Sequence, residues 1–147
     1  MASLRQTFAQ NLREFRLLRG MSQEEIGQRI GSDRTSVSRI ERLAPNLTVD
    51  KVGLLAEALN VSLARMLTAD AARLKDIPAF EAPGRLGEAI RKRRLELELS
   101  QREVGDRAGL DRNHISRVET DATRVALDTL DKIVSALGIS IDRLLMY

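Results

Sequence analysis

Two sets of side chains, 78 residues apart, carry the chemistry of this 147-residue chain. The first is Arg34, Thr35, Ser38 and Arg39; the second is Arg112, Asn113, Ser116 and Arg117. A guanidinium fork donates two parallel bonds to a phosphate or to O6 and N7 of guanine. An Asn amide matches N6 and N7 of adenine, and a Thr methyl packs on the thymine methyl. A solvated helix face carries similar residue types, so the types alone decide nothing. Placement says more. Each set interleaves with an apolar pair, Val37 and Ile40 or Ile115 and Val118, at helical spacing, so the polar residues share the outward face.

The elements that hold these faces come in duplicate. Shifted by 78, the chain matches itself without a gap from Leu12/Ile90 to Leu67/Leu145. Identical pairs include Arg13/Arg91, Arg16/Arg94, Ser22-Gln23/Ser100-Gln101, Glu25/Glu103, Gly27/Gly105, Gly31/Gly109, Asp33-Arg34/Asp111-Arg112 and Glu41/Glu119. A repeat of domain length means two copies of one fold rather than a solenoid. The expected organisation is a first domain at 1–67, a linker at 68–83 carrying Pro78 and Pro83, and a second domain at 84–147, with a helical stub at 69–75. In a flexible-coil regime sixteen residues span roughly 20–24 Å.

Each copy reads as five short helices. Leu4, Phe8, Leu12 and Phe15, or Leu86, Ile90 and Leu97, give helix 1 its apolar stripe. Ser22 and Ser100 stand three residues before Glu25 and Glu103, the pattern of a capping box that opens helix 2. That helix, 23–30 or 101–108, stops at Gly31 or Gly109. Asp33 or Asp111 caps helix 3, which ends near Glu41 or Glu119. Helix 4 covers 49–59 or 127–137, and Ser62 or Ser140 caps helix 5. Gly27 and Gly105 sit inside helix 2, where Gly costs about 1 kcal/mol against Ala. Close backbone approach of the next helix explains them; drift from an ancestral small residue is the alternative.

The run S-Q-x-E-[IV]-G-x-R-x-G-x-D-R-x-x-[VI]-S-R-[IV]-E, present twice, resembles the helix-turn-helix of the phage Cro/cI repressor family, often termed XRE-type. The resemblance covers roughly residues 5–67 and 84–145. It implies an all-α chain of two tandem five-helix, lambda-repressor-like domains joined by a short linker. It also implies that helix 3 of each copy lies in the major groove of double-stranded DNA, with the N-terminus of helix 2 facing a phosphate. Gln23 and Gln101 resemble the glutamine that meets phosphate and base edges in that family. Arg16 with Glu41, and Arg94 with Glu119, resemble its ion pair between helices 1 and 3. One departure is plain: Leu43 and Asp121 stand where the family often has Gly after helix 3, so the turn into helix 4 is expected to differ.

Composition bounds the alternatives. The chain is 43% apolar and 31% charged, with 3% aromatics, no Cys, one His and net charge +3. An aliphatic, aromatic-poor core suits helices, and absence of Cys excludes disulfides and thiolate zinc sites. A pI near 9.8 and 20 Arg among 24 cations suit a polyanion partner, although Arg-rich coding bias gives the same excess. Arg91-Lys92-Arg93-Arg94 reads mainly as solvated helix surface, and lone His114 as a surface or phosphate-contacting residue rather than a metal ligand. There is no nucleophile–base arrangement or phosphate-binding glycine loop, so neither an enzyme nor a cofactor or small-molecule ligand is expected. No apolar stretch approaches 18 residues, so the expected location is the cytoplasm; the resemblance implies association with the nucleoid and an origin in a phage, plasmid or other mobile element, or in a bacterial genome.

The reading is a sequence-specific transcriptional regulator, a repressor by resemblance. Its rival is a protein-interaction module, an antitoxin or antiactivator that kept the fold. The two copies are expected to act as a covalent pseudo-dimer on unequal half-sites, because Thr35/Asn113 and Ser36/His114 differ. A homodimer built through copy two and its tail, Leu144–Tyr147, stays open, as does a protein partner such as RNA polymerase or an antirepressor.

Overall fold

The computed structural model describes residues 2–71 and 85–147, and all regular elements among them are helices. Copy one contains α1 (Leu4–Leu18), α2 (Gln23–Arg29), α3 (Arg34–Leu43), α4 (Val49–Ala58) and α5 (Leu63–Leu67). Copy two repeats them as α6 (Arg85–Glu96), α7 (Gln101–Ala108), α8 (Arg112–Thr120), α9 (Leu127–Ala136) and α10 (Ile141–Leu144). None is long and apolar enough to cross a membrane. Residues 72–83 of the expected linker at 68–83, and most of the helical stub at 69–75, lie outside the described residues. The described start of that stretch packs on copy one: Thr68 and Ala71 are buried, and the Thr68 hydroxyl donates to the Ala64 carbonyl at 2.6 Å.

Local chemistry sets the element boundaries. Both capping boxes form: Ser22 Oγ accepts from the Glu25 amide at 3.0 Å while Glu25 Oε1 accepts from the Ser22 amide at 3.1 Å, and Ser100 with Glu103 repeats this. A third box, Ser3 with Gln6, opens α1. After α2 and α7 the chain turns through Gly31 and Gly109, both at φ +69. The amides of Ser32 and Leu110 then reach back to the carbonyls of Gly27 (2.7 Å) and Gly105 (2.8 Å). A Cβ on Gly27 would sit 2.6 Å from the Asp33 carbonyl carbon, and one on Gly105 2.6 Å from the Leu110 oxygen. The glycines are therefore needed where the next helix crosses.

Several sequence expectations change. Leu97 is 37% exposed rather than core; the helix 1 stripe of copy two is Leu86, Ala89, Ile90 and the stem of Arg94. Ser140 precedes α10 without a capping bond, whereas Ser62 accepts from the Arg65 amide at 3.2 Å. α3 runs past Glu41 to Leu43 and turns through Ala44 in the left-handed region (φ 46), while α8 ends at Asp121 in extended geometry. The turn into helix 4 thus differs between the two copies. One cluster of buried apolar side chains, from Leu4 to Leu145, runs through both copies. α1 packs on α9 and α5 on α10, so the copies touch directly.

Candidate nucleic-acid interface

In each copy α2 and α3, or α7 and α8, form the crossed pair, and helix 1 braces it from behind. Arg16 Nε donates to Glu41 Oε2 at 2.8 Å, and its Nη2 donates to Oε1 at 2.9 Å. The third donor, Nη1, reaches the Met21 carbonyl at 3.0 Å. Arg94 repeats all three bonds, to Glu119 Oε2 (2.8 Å), Glu119 Oε1 (2.9 Å) and the Leu99 carbonyl (2.9 Å). Such a bidentate fork fixes both distance and angle between helix 1 and helix 3. The bond to its Glu holds each guanidinium above its ordinary value, against the opposing effect of burial.

On this brace stand the outward side chains. Arg34, Thr35 and Arg39 are exposed and Ser38 is half-buried; Arg112, Asn113 and Arg117 are exposed and Ser116 is half-buried. Val37, Ile40, Ile115 and Val118 face the core. The first turns are pinned by carboxylates: Asp33 Oδ1 accepts from the Ser36 amide at 2.8 Å, and Asp111 Oδ1 from the Asn113 amide at 2.6 Å. These bonds from Ser36 hold the Asp33 carboxyl below the usual carboxylate range. Gln23 and Gln101 open α2 and α7 with their amides turned inward, Nε2 to Glu41 or Glu119 Oε1 at 3.4 Å in both copies. The outward sets of one copy share one face, with the helix 2 N-terminus beside them.

Some cations proved structural. Arg19 Nε donates to the Leu59 carbonyl at 3.0 Å, Arg29 to Ala58 at 3.0 Å and Arg93 to Leu137 at 3.2 Å. They cap the ends of α4 and α9, where orphan carbonyls and the helix dipole favour cations. The run Arg91–Arg94 is accordingly only half solvated, with Arg91 and Lys92 exposed, Arg93 half-buried and Arg94 buried. Gly87 was also missed: a Cβ there would lie 2.5 Å from the Glu119 oxygen, so α6 touches α8 backbone to backbone. Only the lack of a side chain at this core-facing position could have signalled it. His114 is half-buried beside an open groove that it lines with Ser116, Arg117, Thr120 and Arg124. Among the described residues no group of three or more His, Asp or Glu could hold a metal ion.

A helix-turn-helix family model matches twice, at residues 12–66 and 90–144. A "Neisseria hypothetical transcription factor" from Neisseria meningitidis serogroup B is 40% identical over 72 residues, covering 49% of this chain and 68% of that protein. "Control protein C.SmaI" from Serratia marcescens is 34% identical over 65 residues, covering 44% of this chain and 77% of that protein. A crystal structure of the hypothetical transcription factor NHTF from Neisseria aligns over 48% of this chain and 80% of its own, at 38% identity and a TM-score of 0.44. The chain belongs to the XRE-type helix-turn-helix family, carries the domain twice, and is a DNA-binding transcriptional regulator.

Proposed function

We propose that α3 and α8 each enter a major groove of double-stranded DNA and read base edges, and that the chain represses transcription. The observation that carries this is the duplicated outward face: Arg34, Thr35, Ser38 and Arg39 in one copy, Arg112, Asn113, Ser116 and Arg117 in the other, each on a helix whose opposite side is core. Arg34 and Arg112 are the first residues of their helices, where groove-entering helices make base contacts. Gln23 and Gln101 meet phosphate at the N-termini of α2 and α7 by turning off their long contacts to Glu41 and Glu119. Residues 1–67 and 84–147 act as the two reading domains. Repression follows from occupancy of the groove and rests on family resemblance.

The test is alanine substitution at Arg34 and Arg112 with binding measured on a selected operator and on random duplex. Loss of a bidentate guanine contact costs about 1–3 kcal/mol on the operator, with relaxed preference at one base. Equal loss on both DNAs demotes the residue to a phosphate contact. Binding should also weaken steeply with salt, as counterion release requires. A second reading, docking of a protein partner, is favoured by Leu17 and Leu95, which are exposed at equivalent positions of the two copies. Salt-insensitive capture, with no duplex bound, would select it.

A further inference from the structure

We propose that a single chain is the complete reading unit for a non-palindromic operator, because the two copies are joined by a two-fold seam that pairs copy one with copy two. The proposal rests on groove reading by α3 and α8, and adds which partner each reading helix has and what symmetry the DNA must lack. The seam lies at the start of helix 4. Thr48 forms an antiparallel bridge with Ala126, the residue 78 positions later and therefore its own counterpart in the repeat. The Val49 amide donates to the Val125 carbonyl at 2.9 Å, and the Leu127 amide to the Leu47 carbonyl at 2.8 Å. Leu127 is the counterpart of Val49 and Val125 that of Leu47, so the two bonds exchange under a two-fold rotation. α5 meets α10, again its own counterpart. An element touches its own counterpart only at a two-fold axis, whereas a head-to-tail arrangement pairs unlike surfaces. Two reading helices related by such an axis match the inverted half-sites of a duplex.

Around that axis the bonds are not symmetric. The Leu4 amide donates to Asp131 Oδ2 at 2.9 Å, and Arg5 Nε lies 3.3 Å from Asp128 Oδ1. The Asp128 amide donates to Asn46 Oδ1 at 2.9 Å, while the Asp50 amide takes the Thr123 carbonyl at 2.8 Å. In the repeat register the counterpart of Asp131 is Gly53, that of Arg5 is Pro83 and that of Asn46 is Arg124. Two first copies from different chains would lack the Asp131 acceptor. Two second copies would lack Arg5 and would put Arg124, a donor, where an acceptor is needed. Only the mixed pair makes every bond, and covalent linkage adds effective concentration to it. The mixed pair carries Thr35 and Ser36 on one reading helix and Asn113 and His114 on the other, so its preferred half-sites differ in base sequence.

The absence of cysteine makes a decisive experiment available. Bridged antiparallel residues stand about 4.5–5.5 Å apart at Cα, within disulfide reach. The full chain carrying Thr48→Cys and Ala126→Cys is oxidised, run on non-reducing gels and tested for binding to an operator selected from a random pool. Two further duplexes are made perfectly palindromic by duplicating either half of that operator. The expected results are a cross-link within one 16.4 kDa chain, binding of the locked protein within about twofold of the reduced protein, and one chain per duplex by native mass spectrometry. Both palindromes should bind at least about tenfold more weakly than the operator, one well-placed base contact each. Cross-linked dimers, loss of binding on locking, two chains per operator, or a palindrome that matches it would each overturn the proposal. A clean intrachain cross-link in a protein that binds no duplex, locked or reduced, would instead leave the seam standing and remove the groove reading on which the operator claim depends.

Discussion

Removing Arg16 or Arg94 should cost more stability than removing any other single arginine. In Arg16→Ala the carboxylate of Glu41, whose side chain is 5% exposed, keeps only the 3.4 Å contact from Gln23, and the Met21 carbonyl loses its donor. Breaking one side of a buried pair costs about 3–5 kcal/mol because a charge is left desolvated. The arginine side chains themselves are 12% and 10% exposed; some water reaches the site, which argues for the lower end, about 3 kcal/mol. Against a total of about 5–15 kcal/mol that is a large share. At about 2–4 °C per kcal/mol for a chain near this size, the melting temperature should fall by about 6–12 °C in differential scanning calorimetry. The bond to Glu41 raises the Arg16 guanidinium above its ordinary value, so the arginine stays charged throughout the neutral range and the deficit should be constant around neutrality. The double change Arg16→Met with Glu41→Leu removes both charges and should lose less than Arg16→Ala alone. Unchanged melting in both single variants, or a double variant that loses the sum of its singles, would refute the argument that these pairs brace the reading helices.

Gly27→Ala and Gly87→Ala should each destabilise by about 1–3 kcal/mol through overpacking, despite the roughly 1 kcal/mol of helix propensity that Ala adds; chemical denaturation giving a more stable variant would show that the facing backbone yields. The Asp33, Glu103 and Asp121 carboxyls are all held below their ordinary values, chiefly by bonds from Ser36, Ser100 and Thr123. Their contribution is present above the ordinary carboxylate range and is lost as pH falls through the lowered values. Asp33→Asn keeps a capping acceptor without a titrating charge, so thermal melts between neutral and acid pH should show a shallower decline for the variant than for the parent; parallel declines would contradict this. Ala44→Gly should stabilise the chain by relieving a left-handed alanine (φ 46), worth about 1–2 kcal/mol before the entropy that Gly adds to the unfolded chain; a destabilised variant in denaturant titration would show that the entropy term dominates.

Most of the scaffold was legible because its determinants are local. A Ser three residues before a Glu can make a capping box only one way, and the structure has it at Ser22 and Ser100. Gly27 and Gly105, mid-helix glycines repeated in register, pointed to a close crossing, and the 2.6 Å approach of a Cβ to the facing backbone sets aside ancestral drift. What stayed hidden depends on where a side chain points after folding. Leu97 fits the helix 1 period but lies in the turn just past the end of α6, where the side chain meets solvent. The roles of Arg19, Arg29 and Arg93 could not be read because their acceptors are backbone carbonyls 29 to 44 residues away, and a carbonyl has no signature in sequence. Asn11, buried, donates to the carbonyls of Arg65, Met66 and Thr68 for the same unseen reason.

The contact between copies was invisible for a further reason. Coil statistics for the linker predict a distance between the copies, whereas the Thr48–Ala126 bridge sets it through backbone groups of Leu47, Val49, Val125 and Leu127, four ordinary aliphatic residues. The one clue in the sequence is which pairs of the repeat stayed alike. Arg16/Arg94, Ser22/Ser100, Gly27/Gly105 and Glu41/Glu119 are identical and all belong to the internal scaffold. On the reading helices Arg34/Arg112, Ser38/Ser116 and Arg39/Arg117 are shared while Thr35/Asn113 and Ser36/His114 differ, and at the seam Asp50/Asp128 is shared while Asn46/Arg124 and Gly53/Asp131 differ. A symmetric homodimer presents every residue twice and cannot separate these surfaces. Linking two copies in one chain lets each half acquire its own base contacts, and a seam that favours the mixed pair keeps those two different halves together.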